Sequence, residues 1–508
     1  MHTPWKPLAA ALTLVVALAA PAHAAKPGPA AASVANAGFE SGLSGWTSTG
    51  SASYTEAGGR SGATRLAHWS SSAYRVETRQ TLTGLSGGWF TARAWVRSSG
   101  GQNAAYLTLR DCGGAEKRVA LPVSADGLWL RVAVSTQVTS GRCTLAVVSD
   151  ANAGNWLNVD DVEFAMGRVA VPFLGGDVST LTKAEDKGGV YRTASGQAQD
   201  ALQILGDNGM NLVRLKVWVN PADGYNTKEK VLAMAKRVKA RGMALLVDFH
   251  YSDAWADPGQ QRKPAAWAGY SFSRLAQAVY DHTYDVLNAL RAQGTPADYA
   301  QVGNEINPGM LLPDGSSDNW PQLSTLLKRG VAAVQAASSS TKVMLHLANG
   351  ADLGTVRWWF DNAVSYGVPF DVVGLSYYGY WHGTLGALQQ TLFDVPARYG
   401  KDVMVVETAY PFTMADADFE PNAFSDPSLL LPGYPATSEG QLAHLNDVIT
   451  VTKAVPRSLG FVYWEPTWYA VPGNGWDPYN PASGDGWDNQ ALFDWSGRAL
   501  PAITIFNR

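Results

Sequence analysis

The chain has 508 residues, of which 46% are apolar and 16% charged, with a net charge of −4. This composition excludes a disordered chain, and the lack of a basic stripe excludes nucleic acid as a partner. The length exceeds one ordinary domain, so two are expected.

The chain opens with a targeting signal. His2 and Lys6 make a weakly positive start, residues 8–20 are an apolar run, and Ala22-His23-Ala24 is a small-residue cleavage site. Residues 1–24 are therefore expected to be a signal peptide, and the mature protein to be secreted, extracellular, free of the membrane and monomeric. Residues 25–33 read as an Ala/Pro/Gly-rich linker. Cys112 and Cys143 are the only cysteines. In an oxidising compartment they can pair, and two free buried thiols are the alternative.

Residues 34–166 carry short segments of period two between Gly/Ser turns, such as 89–96 and 105–109, with no sustained helical period. This pattern predicts an all-β sandwich, a jelly roll. The stretch opens with Asn36-Ala37-Gly38-Phe39-Glu40 and closes with Trp156-Leu157-Asn158-Val159-Asp160-Asp161-Val162-Glu163-Phe164. It resembles the carbohydrate-binding jelly-roll modules appended to polysaccharide hydrolases. The resemblance implies Glu40 and Asp161 as ligands of a structural calcium, a cation suited to oxygen ligands. Trp46, Trp69, Tyr74, Trp89, Trp129 and Trp156 are candidate sugar-stacking residues, because one side of a sugar ring is apolar C–H.

From about residue 168 apolar runs alternate with amphipathic stretches. Eight runs read as strands: 173–178, 212–218, 244–249, 299–302, 342–347, 371–375, 402–406 and 460–463. Between them, Val231, Leu232, Met234, Ala235 and Val238 form one face of a helix over 228–241. Eight strand–helix units over residues 170–508 predict an α/β fold, a (β/α)8 TIM barrel. A doubly wound sheet needs a G-x-G-x-x-G loop after its first strand, and Gly175-Gly176-Asp177 lacks it.

Barrel chemistry collects at the C-terminal ends of the strands. Those ends supply Arg214 and Trp218, then Asp248, His250 and Trp255, then Asn304 and Glu305, then His346, then Ser376, Tyr377 and Tyr378, then Glu407, then Trp464. Glu305 and Glu407 each follow an apolar run on strands four and seven, which lie across the barrel mouth. Two such carboxyls suit glycoside hydrolysis, which needs one protonated and one ionised. Glu407 is expected to attack the anomeric carbon and Glu305 to act as acid and then base. Arg214 is expected to keep Glu407 ionised, Tyr377 or Tyr378 to donate to it, and Asn304 to bond the 2-hydroxyl. Trp218, Asp248, His250, Trp255, His346 and Trp464 complete the set expected to bind substrate.

The motifs extend further: Gly176-Asp177-Val178-Ser179, the run 211–218, Asp248-Phe249-His250-Tyr251-Ser252-Asp253-Ala254-Trp255-Ala256-Asp257-Pro258-Gly259, Gln301-Val302-Gly303-Asn304-Glu305-Ile306-Asn307, Val406-Glu407-Thr408-Ala409-Tyr410-Pro411, and the run 487–494. In these the barrel half resembles the arabinogalactan endo-β-1,4-galactanases, glycoside hydrolase family 53. The resemblance implies a retaining endo-acting hydrolase of the β-1,4-galactan side chains of pectin, with Glu305 as acid/base and Glu407 as nucleophile. It implies no organic cofactor. It also implies a structural calcium between the loops after strands seven and eight, where Asp416, Asp418, Asp485 and Asp488 are the candidate ligands. A barrel hydrolase of mannan or xylan, or a sugar-binding protein without catalysis, remain the alternatives.

Overall fold

The period-two segments become ten strands in the computed structural model, which describes residues 33–124 and 126–507. The expected signal peptide 1–24 and the linker 25–33, save its last residue, lie outside these. One antiparallel sheet runs Thr47–Thr49, Tyr74–Thr83, Arg142–Ala151, Ala104–Arg110, Lys117–Ala120; the other runs Ser53–Ala57, Thr64–Trp69, Trp156–Met166, Gly88–Ser98, Leu130–Val138. Alternation decides which side is buried. Along Tyr74–Thr83, Val76, Thr78, Gln80 and Leu82 face inward, while Arg75, Thr81 and Thr83 face water. Phe39, Leu66, Phe90, Leu107, Leu145 and Val159 belong to one apolar core. Burying each such side chain stabilises by ~1.5–3 kcal/mol. Cys112 and Cys143 are bridged across a separation of 31 residues, and closing a loop of that size stabilises by about 3 kcal/mol.

The eight predicted barrel runs all form strands. In order they are Phe173–Asp177, Leu212–Val217, Ala244–Phe249, Tyr299–Val302, Lys342–Leu347, Val372–Ser376, Asp402–Thr408 and Ser458–Trp464, all parallel in one closed barrel. The predicted amphipathic helix spans Lys228–Ala240. Thr227 caps it by accepting the Lys230 N–H, and Val231, Met234, Ala235 and Val238 are buried. Among the described residues no helix is long and apolar enough to cross a membrane.

Side chains two apart on a strand share a face, so the barrel interior is layered. Leu212, Leu246, Met344, Val372, Met404 and Val462 fill the lower part as a separate apolar cluster. Two residues further along four of these strands stand Arg214, Asp248, His346 and Trp464. The apolar layer thus becomes a polar one toward the C-terminal rim.

The sandwich is joined to the barrel wall. Its strand Leu130–Val138 meets the helices Leu385–Tyr399 and Ser438–Lys453. Gln389, 1% exposed, accepts the Arg131 N–H at 2.7 Å and donates to the Arg131 carbonyl at 2.8 Å and the Val451 carbonyl at 2.9 Å. Trp95 packs on Phe393 with ring centroids 5.7 Å apart. Replacing Gln389 by Ala leaves those Arg131 groups without partners, which costs roughly 1–3 kcal/mol. Denaturant unfolding of Gln389→Ala should show a lower midpoint, and an unchanged midpoint would remove this residue from the junction.

Candidate active site

Three backbone features carry the acidic residues onto the rim. The fourth strand ends at Val302, and Gly303 (φ +86°) and Glu305 (φ +47°) then turn the chain back over the mouth. A Cβ at Gly303 would meet Ile306 Cγ2 at 2.6 Å, so both the turn and the space require glycine there. Left-handed backbone at a glutamate is strained, and such strain persists where the surroundings hold it. On the seventh strand Val406 points into the barrel core. Strict alternation would turn Glu407 outward, but the pairing slips there, from Leu375 opposite Val405 to Ser376 opposite Glu407. This irregularity aims Glu407 inward.

Arg214 lies beneath both carboxyls, 1% exposed. Its guanidinium reaches Asp177 Oδ2 at 2.8 Å, Asp248 Oδ2 at 2.9 Å, Asn304 Oδ1 at 2.7 Å, Gln301 Oε1 at 3.2 Å and Glu407 Oε1 at 2.9 Å. Burial alone would favour losing the proton, but Asp248, Glu407 and Asp177 outweigh it and push the guanidinium pKa up. Asp248 is pushed up by burial and pulled further down by Arg214 and His250, so it stays below its ordinary value. His250 Nδ1 accepts from Trp218 Nε1 and the Ala256 N–H, so its proton sits on Nε2 and is donated to Asp248 at 2.9 Å.

Ser376 touches both candidate catalytic groups. Its hydroxyl lies 2.6 Å from Glu305 Oε1, 3.4 Å from Glu407 Oε2 and 2.8 Å from His346 Nε2. Tyr378 donates to Glu407 Oε2 at 3.1 Å. Burial raises the pKa of both carboxyls. For Glu407 the Arg214 charge opposes the rise. For Glu305 the negative charge of Glu407 adds to it, and the pKa reaches about 8. The arrangement holds one carboxyl protonated beside one that is paired with a fixed cation.

Above them opens a cleft of about 540 Å³. Glu305, Glu407, His250, Trp255, Asn304, Tyr378 and Trp464 line it. The other residues expected to bind substrate sit behind this wall. Arg214, Asp248 and His346 are buried in the network below. Trp218 is 2% exposed and turns its indole N–H to His250. Tyr377 is fully buried and donates to the Gly383 carbonyl, so Tyr378 alone of the two reaches Glu407. Asn304 spends its oxygen on Arg214 and Gln301 and one N–H on the Ala256 carbonyl, which leaves one N–H for a ligand. The wall also uses residues the strand ends do not reveal: Asp257, Gln260, Trp381, Trp476 and Trp487. Trp381 stands on the short helix Gly379–His382 that follows the sixth strand, and the other four on loops. Trp255 Nε1 bonds the Trp476 carbonyl at 2.7 Å across 221 residues, and Trp464 meets Trp487 edge-on at 4.5 Å.

The loop carboxyls form a cluster of their own. Asp416, Asp418 and Asp488 offer oxygens within 4.8 Å of one another. Asp485 Oδ2 and Asp488 Oδ1 are buried without a partner, as are Asn422 Oδ1 and Asn489 Oδ1. Burial pushes Asp485 well up and Asp488 up to about 6. The three convergent carboxyls, with the partnerless oxygen of Asp488 among them, fit a hard divalent cation such as calcium, and Asp485 of the expected set is not one of the three. The pair expected in the sandwich does not assemble in this way. Glu40 accepts the N–H groups of Ala63 and Thr64, and Asp161 holds Arg60 at 2.7 Å together with the Ser61 hydroxyl. Both carboxyls are engaged by protein donors, and among the described residues the group of three carboxyls that converges within that distance is the one on the barrel loops.

Comparison with known proteins matches this geometry to a family. The family described as Glycosyl hydrolase family 53 matches residues 173–506. An uncharacterized protein of Niallia circulans is 42% identical over 341 residues, 65% of this chain and 92% of its own length. The arabinogalactan endo-beta-1,4-galactanase of Thermothelomyces thermophilus is 35% identical over 348 residues, 67% of this chain and 100% of its own. The GH53 catalytic domain of Ignisphaera aggregans is similar in structure at a TM-score of 0.63 and 38% identity, covering 67% of this chain and 99% of that one. By the extent of the family match and these identities, the chain belongs to glycosyl hydrolase family 53.

Proposed function

We propose that this protein hydrolyses β-1,4-galactan by a retaining double displacement, with Glu407 as nucleophile and Glu305 as acid/base. The observation that carries the mechanism is the single Ser376 hydroxyl within reach of both carboxyls. The distance between the two oxygens cannot exceed the sum of 2.6 and 3.4 Å. That sum is shorter than the roughly 6.5 Å at which inverting spacings begin. The substrate rests on family relatives named as endo-beta-1,4-galactanases, from Thermothelomyces thermophilus and Bacillus subtilis.

In the first step the Glu407 carboxylate attacks the anomeric carbon while Glu305 gives its proton to the departing glycosidic oxygen. A covalent glycosyl ester on Glu407 results, and the leaving chain departs as an alcohol. In the second step Glu305, now ionised, takes a proton from water as the water attacks the same carbon. The ester bond breaks and both carboxyls return to their starting states. Arg214 keeps Glu407 anionic and fixed, and the tryptophans of the wall offer apolar faces to sugar rings. Asp416, Asp418 and Asp488 would hold a calcium ion, which would order the loops and supply no chemistry. The apolar run 8–20 followed by Ala22-His23-Ala24 supports export to the polymer outside the cell.

Glu407→Ala should lower kcat on β-1,4-galactan by roughly 10³-fold or more while galactan binding survives. Unchanged turnover, or release of sugar from mannan or xylan but none from galactan, would refute the assignment. The pH profile of kcat/KM should have two limbs. Activity is lost as pH rises through about 8, where Glu305 loses its proton, and at low pH, where Glu407 gains one. A single ionisation contradicts the pairing. Chelation should lower the melting temperature and added calcium should restore it, the ion stabilising the fold by about 2.7 kcal/mol at a hundredfold excess over Kd. Asp488→Asn should abolish that response. A chelator-insensitive melting temperature removes the cation from the account.

A further inference from the structure

A second cleft, of about 400 Å³, lies where the sandwich meets the barrel. Arg60, Trp95 and Trp129 line it from the sandwich, and Leu353, Arg357, Gln390, Phe393 and Asp394 from the barrel. The volume is within the range of roughly 300–1,000 Å³ typical of small-ligand sites. None of these residues takes part in the chemistry at Glu305 and Glu407.

The sandwich wall is held in place by charge. The Arg60 guanidinium sits 3.7 Å above the Trp95 ring, and Arg97 sits 4.7 Å above Trp129. Asp161, at the irregular point of the strand Trp156–Met166, holds Arg60 at 2.7 Å. The acidic residue that closes the sandwich therefore fixes an arginine, which in turn fixes an indole. On the barrel wall Arg357 Nε donates to Asp394 Oδ2 at 2.9 Å, and the Gln390 side chain is exposed.

Two aspects of this lining select a ligand class. Indole rings beside amide, guanidinium and carboxylate groups are the combination that pairs the apolar C–H side of a sugar with its hydroxyls. The charges also balance, Arg60 against Asp161 and Arg357 against Asp394. A cleft whose two lining arginines, Arg60 and Arg357, are already paired favours a neutral chain over an acidic one, because an acidic chain would gain little ionic pairing for the hydration it loses.

One end of the cleft, at Leu353, points toward the rim of the barrel. Leu353 begins the helix that follows the fifth strand. Thr384, at the start of the helix Leu385–Tyr399, donates to Asp126 of the sandwich. We propose that this cleft is a second saccharide site, in which both walls grip a neutral β-galactan chain and hold the polymer beside the catalytic rim. The identity of the chain rests on the galactanase reading above. A chain held there raises the effective concentration of polymer at Glu305 and Glu407 without touching the chemistry.

The test uses the full chain. Binding is measured as retention on insoluble β-1,4-galactan in a Glu407→Ala background, and turnover in the unmodified background. Trp129→Ala and Gln390→Ala, one from each wall, should each weaken retention roughly tenfold and raise KM on the polymer at constant kcat. Turnover of a short soluble galacto-oligosaccharide should not change. Trp129→Phe, which keeps an aromatic face, should restore most of the retention. Polygalacturonate should not be retained. Normal retention in both alanine variants overturns the site, and so does retention of polygalacturonate. Loss with Trp129→Ala alone overturns the two-walled form. Failure of the galactanase reading would appear separately, as absent galactan turnover by the unmodified enzyme.

Discussion

One buried guanidinium organises the catalytic half of this protein. Arg214 is 1% exposed and faces three carboxylates, Asp177, Asp248 and Glu407. Burying an isolated charge is costly, and here each member is tolerable only because the others are present. The three acids outnumber the one guanidinium, so the pocket already carries excess negative charge. A fourth carboxyl at its edge, Glu305, is buried, faces the charge of Glu407 and keeps its proton. Burial raises both glutamates, and the difference between them comes from Arg214, which is paired with Glu407.

The fold exists to hold that balance. Its apolar lower layer closes the barrel below Arg214, and the strand pairing slip at Glu407 and the left-handed turn at Glu305 bring both carboxyls to one hydroxyl. A second buried pair, Lys216 with Glu465 at 2.8 Å, extends the same logic outward. Lys216 Nζ sits 3.9 Å from the centre of the Trp255 ring, so an ion pair inside the barrel also steadies an aromatic wall of the cleft.

Much of this was legible in the sequence, for a physical reason. Parallel strands buried on both faces read as continuous apolar runs, and all eight runs became strands within a few residues of their expected ends. Glu305 and Glu407 stood out because charge at the end of such a run is unusual. What failed was the assignment of facing. Arg214, Trp218, Asp248, His346 and Tyr377 were expected to meet substrate, yet they lie behind the wall. Type and strand position alone do not separate a side chain that lines a cleft from one that supports it. Tyr377 and Tyr378 are neighbours of one type, and the turn of the chain at the strand end sends them to opposite partners. Trp381, Trp476 and Trp487 were beyond reach for another reason. Trp381 comes from a helix of a single turn and the other two from loops, none long enough to show a period, and the contact of Trp255 with Trp476 spans 221 residues.

The central claim is that Arg214 keeps Glu407 ionised and so makes it the nucleophile. The most direct measurement is to trap the covalent intermediate with a slow 2-fluoro galactoside carrying a good leaving group, and to locate the added mass by peptide mapping. The account predicts one glycosyl unit on the peptide that contains Glu407, and loss of the adduct in Arg214→Met. An adduct on Glu305, or full turnover with no adduct at any residue, would contradict it.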